Sequence, residues 1–168
     1  HTAYEPYSPV YHPSYPALIY SKFRSWGEIS DWYYELSRLK QKPTLELTET
    51  ADSLTRNCTD LWEKVKRIHG FITKTINYSY VPFRQSAWIP QSAGDVLATR
   101  IGDCKDMASL GKAFLDIAGI ESWLVLVNTR VHNFTDYAYK GPNFDHCILT
   151  FKHDTTYYYV DFTDRNSA

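Results

Sequence analysis

Phe144-Asp-His-Cys-Ile-Leu-Thr-Phe151 and Thr156-Tyr-Tyr-Tyr-Val-Asp-Phe162, joined through Lys152-His-Asp-Thr155, read as the two strands and the turn of a hairpin. The strands are rich in β-branched and aromatic residues, and the link is polar with an Asp at its centre. A turn centred between His153 and Asp154 sets His146 directly opposite Asp161, on one face, with Cβ atoms ~4.5–5.5 Å apart. An imidazole and a carboxylate at that separation hydrogen-bond, and the carboxylate then fixes the ring tautomer and steadies its cation. The pairing depends on register, because a slip of one residue turns the two side chains to opposite faces. Alternation sends Cys147 to the face away from His146, a packing position. Taken alone, a His–Asp contact on a sheet surface is ordinary.

Upstream, Gly102-Asp-Cys-Lys-Asp106 opens a helical pattern. Met107, Leu110, Phe114 and Ile117 form its buried face, while Ala108, Ala113 and Ala118 allow close packing. Gly119 comes next, where a left-handed C-terminal residue is wanted. Cys104 therefore sits where a helix offers partial positive charge and unsatisfied N–H groups. Both favour a thiolate, the nucleophilic form, and the same N–H groups suit an oxyanion during acyl transfer. Asp103 and Asp106 oppose the thiolate, and Lys105 partly offsets them. The plainer reading is a small buried residue at a helix start.

Two earlier helices are expected. Ser25-Trp-Gly-Glu28 has capping-box spacing, and Trp26, Ile29, Trp32 or Tyr33, Leu36 and Leu39 recur behind it until Pro43. The second starts near Asp60, with Leu61, Val65, Ile68 and Ile72 as its apolar stripe. His69 lies one residue off that stripe and reads as solvated; Cys58, just before the helix, reads as structural. Residues 44–56 are polar and Thr-rich, with no clear assignment. Asn77-Tyr-Ser-Tyr-Val81 reads as extended, and Pro82 and Pro90 break the segment beyond it. Ala93-Gly-Asp-Val-Leu-Ala98 reads as one helical turn. Ser122-Trp-Leu-Val-Leu-Val127 is apolar on both faces and reads as a central strand. Helices first and strands last define an α+β fold with a mainly antiparallel sheet.

The 168 residues suit one cored domain with an appendage. Residues 1–20 carry Tyr at 4, 7, 11, 15 and 20 and Pro at 6, 9, 13 and 16, an extended or polyproline-like arm. Residues 1–50 thus read as an N-terminal extension, arm plus helix, and residues 51–168 as the core. Eighteen basic and 19 acidic side chains leave a net charge of −1, which excludes an electrostatic grip on nucleic acid or on an anionic membrane. No apolar run reaches the length of a membrane span. The 14 Tyr, 5 Trp and 8 Phe suit either a Tyr-rich core and surface or a cleft that grips an extended chain. Three cysteines cannot all pair, and no C-x-x-C occurs for zinc or redox chemistry. Cys104, His146 and Asp161 lack the second Cys or His of a metal site, so neither metal nor cofactor is expected. The start, His1-Thr-Ala-Tyr, is neither an initiator methionine nor a signal peptide, and the chain reads as one domain cut from a longer protein.

Gly102-Asp-Cys-Lys-Asp106, with Ala108 and Phe114-Leu-Asp-Ile-Ala-Gly-Ile120, resembles the catalytic-helix motif of the transglutaminase-like superfamily. Phe144-Asp-His-Cys-Ile148 resembles its histidine strand, and Tyr159-Val-Asp-Phe-Thr163 its aspartate strand. Gln91-Ser-Ala-Gly-Asp-Val-Leu97 resembles the segment before its cysteine. The likeness covers roughly residues 59–163 and runs to bacterial core domains inside multi-domain envelope proteins. Phe162 departs from it, standing where Pro is common.

The resemblance implies a papain-like core with Cys104 as nucleophile, His146 as base and Asp161 as the group that orients the base. Gln91 and Trp88 become candidates for the oxyanion site or the cleft wall. The implied activity is attack of Cys104 on an amide carbonyl, from a peptide bond or a Gln side chain, to give a thioester. Water resolves the thioester in a peptidase or amidase; an amine resolves it in a transamidating transglutaminase. Hydrolysis is the expectation. The alternative is a module that keeps the fold without turnover and binds protein or peptide. A protein or peptide substrate, further domains of the parent protein and an extracytoplasmic home come from the same resemblance. The loop Arg130-Val-His-Asn-Phe-Thr-Asp-Tyr-Ala-Tyr139 holds a rival base, His132, and aromatics that suit either a cleft wall or a surface loop.

Overall fold

Each long helix begins where a side chain satisfies its otherwise unpaired first-turn amides. In the computed structural model, which describes residues 21–79, 88–129, 141 and 144–165, Ser25 Oγ accepts from Glu28 N at 3.2 Å and starts α1, Trp26–Ser37. The Glu28 carboxylate takes the Arg24 N–H (2.8 Å), so the box predicted at Ser25 is half closed. α1 buries Ile29, Tyr33 and Ser37 and runs into a 3₁₀ turn, Arg38–Gln41. The Tyr/Pro arm and the loop carrying His132 lie outside the described residues.

The stretch without an assignment forms α2, Leu45–Thr55, capped by Thr44 Oγ1 on Leu47 N (3.2 Å). Leu47 and Ala51 are fully buried and Leu54 packs beside them, a helical spacing that the threonines obscure. Thr48 and Thr55 sit in the helix by donating to the carbonyls of Thr44 and Ala51 (2.9 and 2.8 Å). A division at residue 50 would cut this helix, whose Leu47 and Ala51 share the core of the catalytic-motif helix.

α3, Leu61–Thr75, is capped by Asp60 on Glu63 N at 2.8 Å. Its buried stripe is wider than expected. His69, read as solvated, is 2% exposed. It lies on the stripe with Val65, Ile68, Ile72 and Thr73, because an apolar helix face spans an arc of about 100° or more rather than one row.

β1, Asn77–Tyr78, pairs in parallel with β2, Ile101–Gly102. Between them α4, Ala93–Thr99, runs two turns instead of one. α5, Cys104–Ile117, comes after β2 and is buried on nearly every side, with α2, α3, α4 and strands packed around it. Gly119 closes α5 at φ +79, the left-handed conformation expected there.

The sheet has the order β3 (Ser122–Val127), β4 (His146–His153), β5 (Thr156–Val160), antiparallel throughout. Among the described residues β4 is the central strand and β3, read as central, an outer one. Its two apolar faces have separate partners: Leu124 and Leu126 pack toward Tyr33 of α1 and Ala108 of α5, while on the other face Trp123 lies 6.1 Å from the Tyr157 ring. The hairpin turn is also displaced. His153 pairs with Thr156, so the chain reverses in Asp154 and Thr155, with Asp154 left-handed at φ 55. Leu149 consequently faces Val160, and Asp161 falls diagonal to His146 rather than directly opposite. The shift is two residues, an even number, so both side chains keep the same face.

Candidate active site

Cys104 is placed by a tightly built helix start. Asp103 is the N-cap; its Oδ1 accepts from Lys105 N (3.2 Å) and Asp106 N (3.3 Å). Asp106 answers by accepting from Asp103 N at 3.1 Å, which completes a capping box around the cysteine. Gly102 makes room for it: a Cβ there would come within 2.8 Å of Asp106 Cβ. Asp106 is further held by Gln91, whose backbone N–H and Nε2 donate to its two oxygens, each at 2.8 Å. Lys105, 2% exposed, forms a buried ion pair with Asp103. Burial pushes the Asp103 carboxyl up, and the Lys105 hydrogen bond works against that.

The acidic flanks of Cys104 are therefore engaged with amides and an ammonium. The cap also changes which amides remain. The N–H groups of Lys105 and Asp106 are spent on Asp103, while that of Cys104 has no hydrogen-bond partner among the described residues. Gln91, an oxyanion candidate on sequence grounds, spends an Nε2 hydrogen on Asp106 and anchors the segment before α4 to the start of α5. Trp88 packs edge-on to Trp32 (5.7 Å between ring centroids) and against the cluster that holds Cys104.

His146, the first residue of β4, donates from Nε2 to Asp161 Oδ2 at 2.7 Å. Its ring also lies close enough to Cys104 for the thiol to act on its pKa, with Nδ1 the ring nitrogen not engaged by Asp161. The hydrogen bond to Asp161 first, and Cys104 second, raise the His146 pKa to about 10 against the opposing effect of burial. Burial would raise the Asp161 carboxyl, but hydrogen bonds from His146 and Thr163 outweigh it and hold the group below the usual carboxylate range. Asp161 Oδ1 accepts from Thr163 N (2.9 Å) and Thr163 Oγ1 (2.7 Å), so both carboxylate oxygens are committed.

Cys147, 1% exposed, faces α5 and lies beside Cys104, Ala108 and Tyr33; burial pushes its thiol up. The Tyr33 hydroxyl approaches it at 3.9 Å. All three cysteines are unpaired, and no cluster of His, Cys, Asp or Glu among the described residues suits a metal ion. No helix is long and apolar enough to cross a membrane among those residues. The side chain that sequence reading missed is His69, whose Nε2 meets the Asp161 carbonyl oxygen at 3.1 Å. Its spacing four residues after Val65 and one after Ile68 was the available signal.

A helix-start cysteine near a strand histidine, itself hydrogen-bonded to an aspartate just past the next strand, on an α+β scaffold, defines a papain-like cysteine-enzyme fold. The chain belongs to the transglutaminase-like superfamily, which it matches over residues 48–162. It is similar in structure to a "putative protease" from Parabacteroides distasonis (22% identity, TM-score 0.63), covering 77% of this chain and 25% of that one. It is also similar to a "putative cysteine protease" from Cytophaga hutchinsonii (22% identity, TM-score 0.52), covering 75% of this chain and 41% of that one. The chain thus spans less than half the length of either structure. No curated protein matches it.

Proposed function

We propose that the protein catalyses cysteine-dependent acyl transfer at amide bonds, with hydrolysis as the outcome. The observation that carries this reading is His146 held at 2.7 Å by Asp161 and close enough to the helix-start Cys104 for the thiol to raise its pKa. Cys104 Sγ attacks the carbonyl carbon of a peptide or Gln amide while His146 holds the thiol proton. The N–H of Cys104, without a partner among the described residues, donates to the oxyanion that forms. His146 passes its proton to the leaving amine or ammonia, which leaves a thioester on Cys104. Water, deprotonated by His146, then attacks the thioester and releases the acid and the thiol. Asp161 holds the ring so that one nitrogen faces the sulfur throughout. The names of the two structural neighbours support hydrolysis over transamidation.

A second reading, a peptide-binding module without turnover, draws on one observation: Cys104 is only 4% exposed. Iodoacetamide labelling across pH with peptide mapping separates the two, run on the parent and on His146→Ala. The catalytic reading expects Cys104 to label faster than Cys58 and Cys147, and to lose that advantage in His146→Ala. Equal, ordinary reactivity in both proteins would hand the site to the binding module. For an active protein, release of amine from peptides against incorporation of a fluorescent amine decides between hydrolysis and crosslinking.

A further inference from the structure

Asp161 is held from the side that its carboxylate does not use. Its backbone carbonyl oxygen lies 3.1 Å from His69 Nε2 on α3. A carbonyl only accepts, so Nε2 carries the hydrogen and Nδ1 is bare. That nitrogen is buried and has no hydrogen-bond partner among the described residues. The ring is 2% exposed and lies 5.7 Å from the ring of Phe162, the residue after Asp161. Phe162 in turn lies against Gly111 of α5, where an added Cβ would come within 2.2 Å of its ring. The chain around Asp161 is thus gripped by α3 on one side and α5 on the other.

An apolar side chain would fill this place without stranding a buried nitrogen, a cost of about 1–3 kcal/mol in general. Histidine brings one hydrogen bond, to the residue that positions the base, together with that cost. The balance makes little sense for stability and good sense for the site. We propose that His69 is a positioning residue for the Cys104–His146–Asp161 site, fixing the Asp161 backbone so that its carboxylate stays under His146. The proposal rests on the catalytic reading above. It adds α3, which carries none of these three side chains, to the machinery that aligns them.

The test compares His69→Phe, which fills the space without a donor, with His69→Gln, whose side-chain amide restores one. Imidazole NMR tracks the titration of His146, iodoacetamide reports on Cys104, and urea unfolding reports on the fold. In His69→Phe, stability is unchanged or higher, His146 loses its proton at lower pH than in the parent, and Cys104 labels more slowly, by about ten- to a hundredfold if the loss matches that seen when the outer partner of a metal-ligating histidine is removed. His69→Gln recovers most of both. If His69→Phe does not fold, His69→Asn, too short to reach the carbonyl, takes its place against His69→Gln. The proposal is overturned if His146 titrates in the donor-less variant as in the parent, or if stability falls with no recovery by Gln. Parent labelling that ignores His146→Ala would sink the catalytic reading alone, because the His146 titration still judges the role of His69.

Discussion

Both carboxylate oxygens of Asp161 and its carbonyl are bonded, and His146 is the partner whose charge depends on them. In the folded chain His146 holds its proton up to about 10, against an ordinary 6.5 when unfolded. The stability it contributes is complete below pH 6.5 and is lost as the pH climbs through 10. Asp161 runs the other way: its folded pKa is depressed, so its contribution is present above the ordinary carboxylate value of about 4 and is lost as the pH falls through the folded one. Asp161→Asn should therefore cost most stability between pH ~4 and ~6.5, and the gap to the parent should narrow toward pH 10. Urea unfolding at a series of pH values measures this, and a gap that is flat with pH would refute the pairing. In the same variant His146 should titrate nearer 6.5, moving the alkaline limit of Cys104 chemistry down with it. Turnover, once a substrate is found, should drop on the order of 10⁴-fold, as when a base loses its orienting carboxylate.

At the scale of elements, two glycines separate packing from propensity. Alanine in mid-helix is worth about 0.5–1 kcal/mol over glycine where space is free. Gly70 of α3 has nothing within 4 Å of a would-be Cβ, so Gly70→Ala should stabilise by that amount. A Cβ on Gly111 of α5 would lie 2.2 Å from the Phe162 ring, so Gly111→Ala should instead destabilise by about 1–3 kcal/mol. Opposite signs in chemical unfolding confirm that Phe162 is keyed into α5; matching signs would refute it. The same contrast between pattern and packing explains what the sequence disclosed. The start of α5 was legible because Gly102, Asp103, Cys104 and Asp106 each answer a local need of a helix terminus. His146 and Asp161 were legible as one face of a hairpin even with the turn misplaced by one residue and the register by two, since strand alternation repeats every second residue. Asp154 at φ 55 was the missing cue, an Asp tolerating a conformation that few residues do. His69 and α2 were hidden because polar side chains were equated with solvent. The histidine meets a carbonyl contributed from 92 residues away, and the threonines bond back to their own helix. Such partners depend on the tertiary fold or on geometry that hydropathy ignores.

At the scale of the whole molecule, the superfamily match begins at residue 48, yet α1 lies before it and reaches the site. Tyr33 of α1 packs with Cys104, Ala108 and Cys147, its hydroxyl 3.9 Å from Cys147 Sγ. Trp26 lies 6.2 Å from the ring of Phe144, two residues before His146. Gln41, just after α1, donates to Ser109 of α5 at 3.2 Å in a buried contact. Full burial of an aliphatic side chain such as Ile29 stabilises by about 1.5–3 kcal/mol, and Tyr33 is buried as deeply, at 4% against 3% exposed. Together they approach the lower end of the 5–15 kcal/mol by which a whole domain is stable, roughly. A chain begun at residue 43, which keeps the Thr44 cap of α2, should therefore unfold at lower urea concentration than the full chain. The site should report the same loss. In the intact protein Cys147 should resist iodoacetamide, because it is 1% exposed and burial keeps its thiol protonated. Without Tyr33 above it, Cys147 should label in the native state, alongside Cys104. If the shortened chain instead keeps its stability and shields Cys147, then α1 is an accessory to the core, and the cover over the two cysteines comes from the strands and α5.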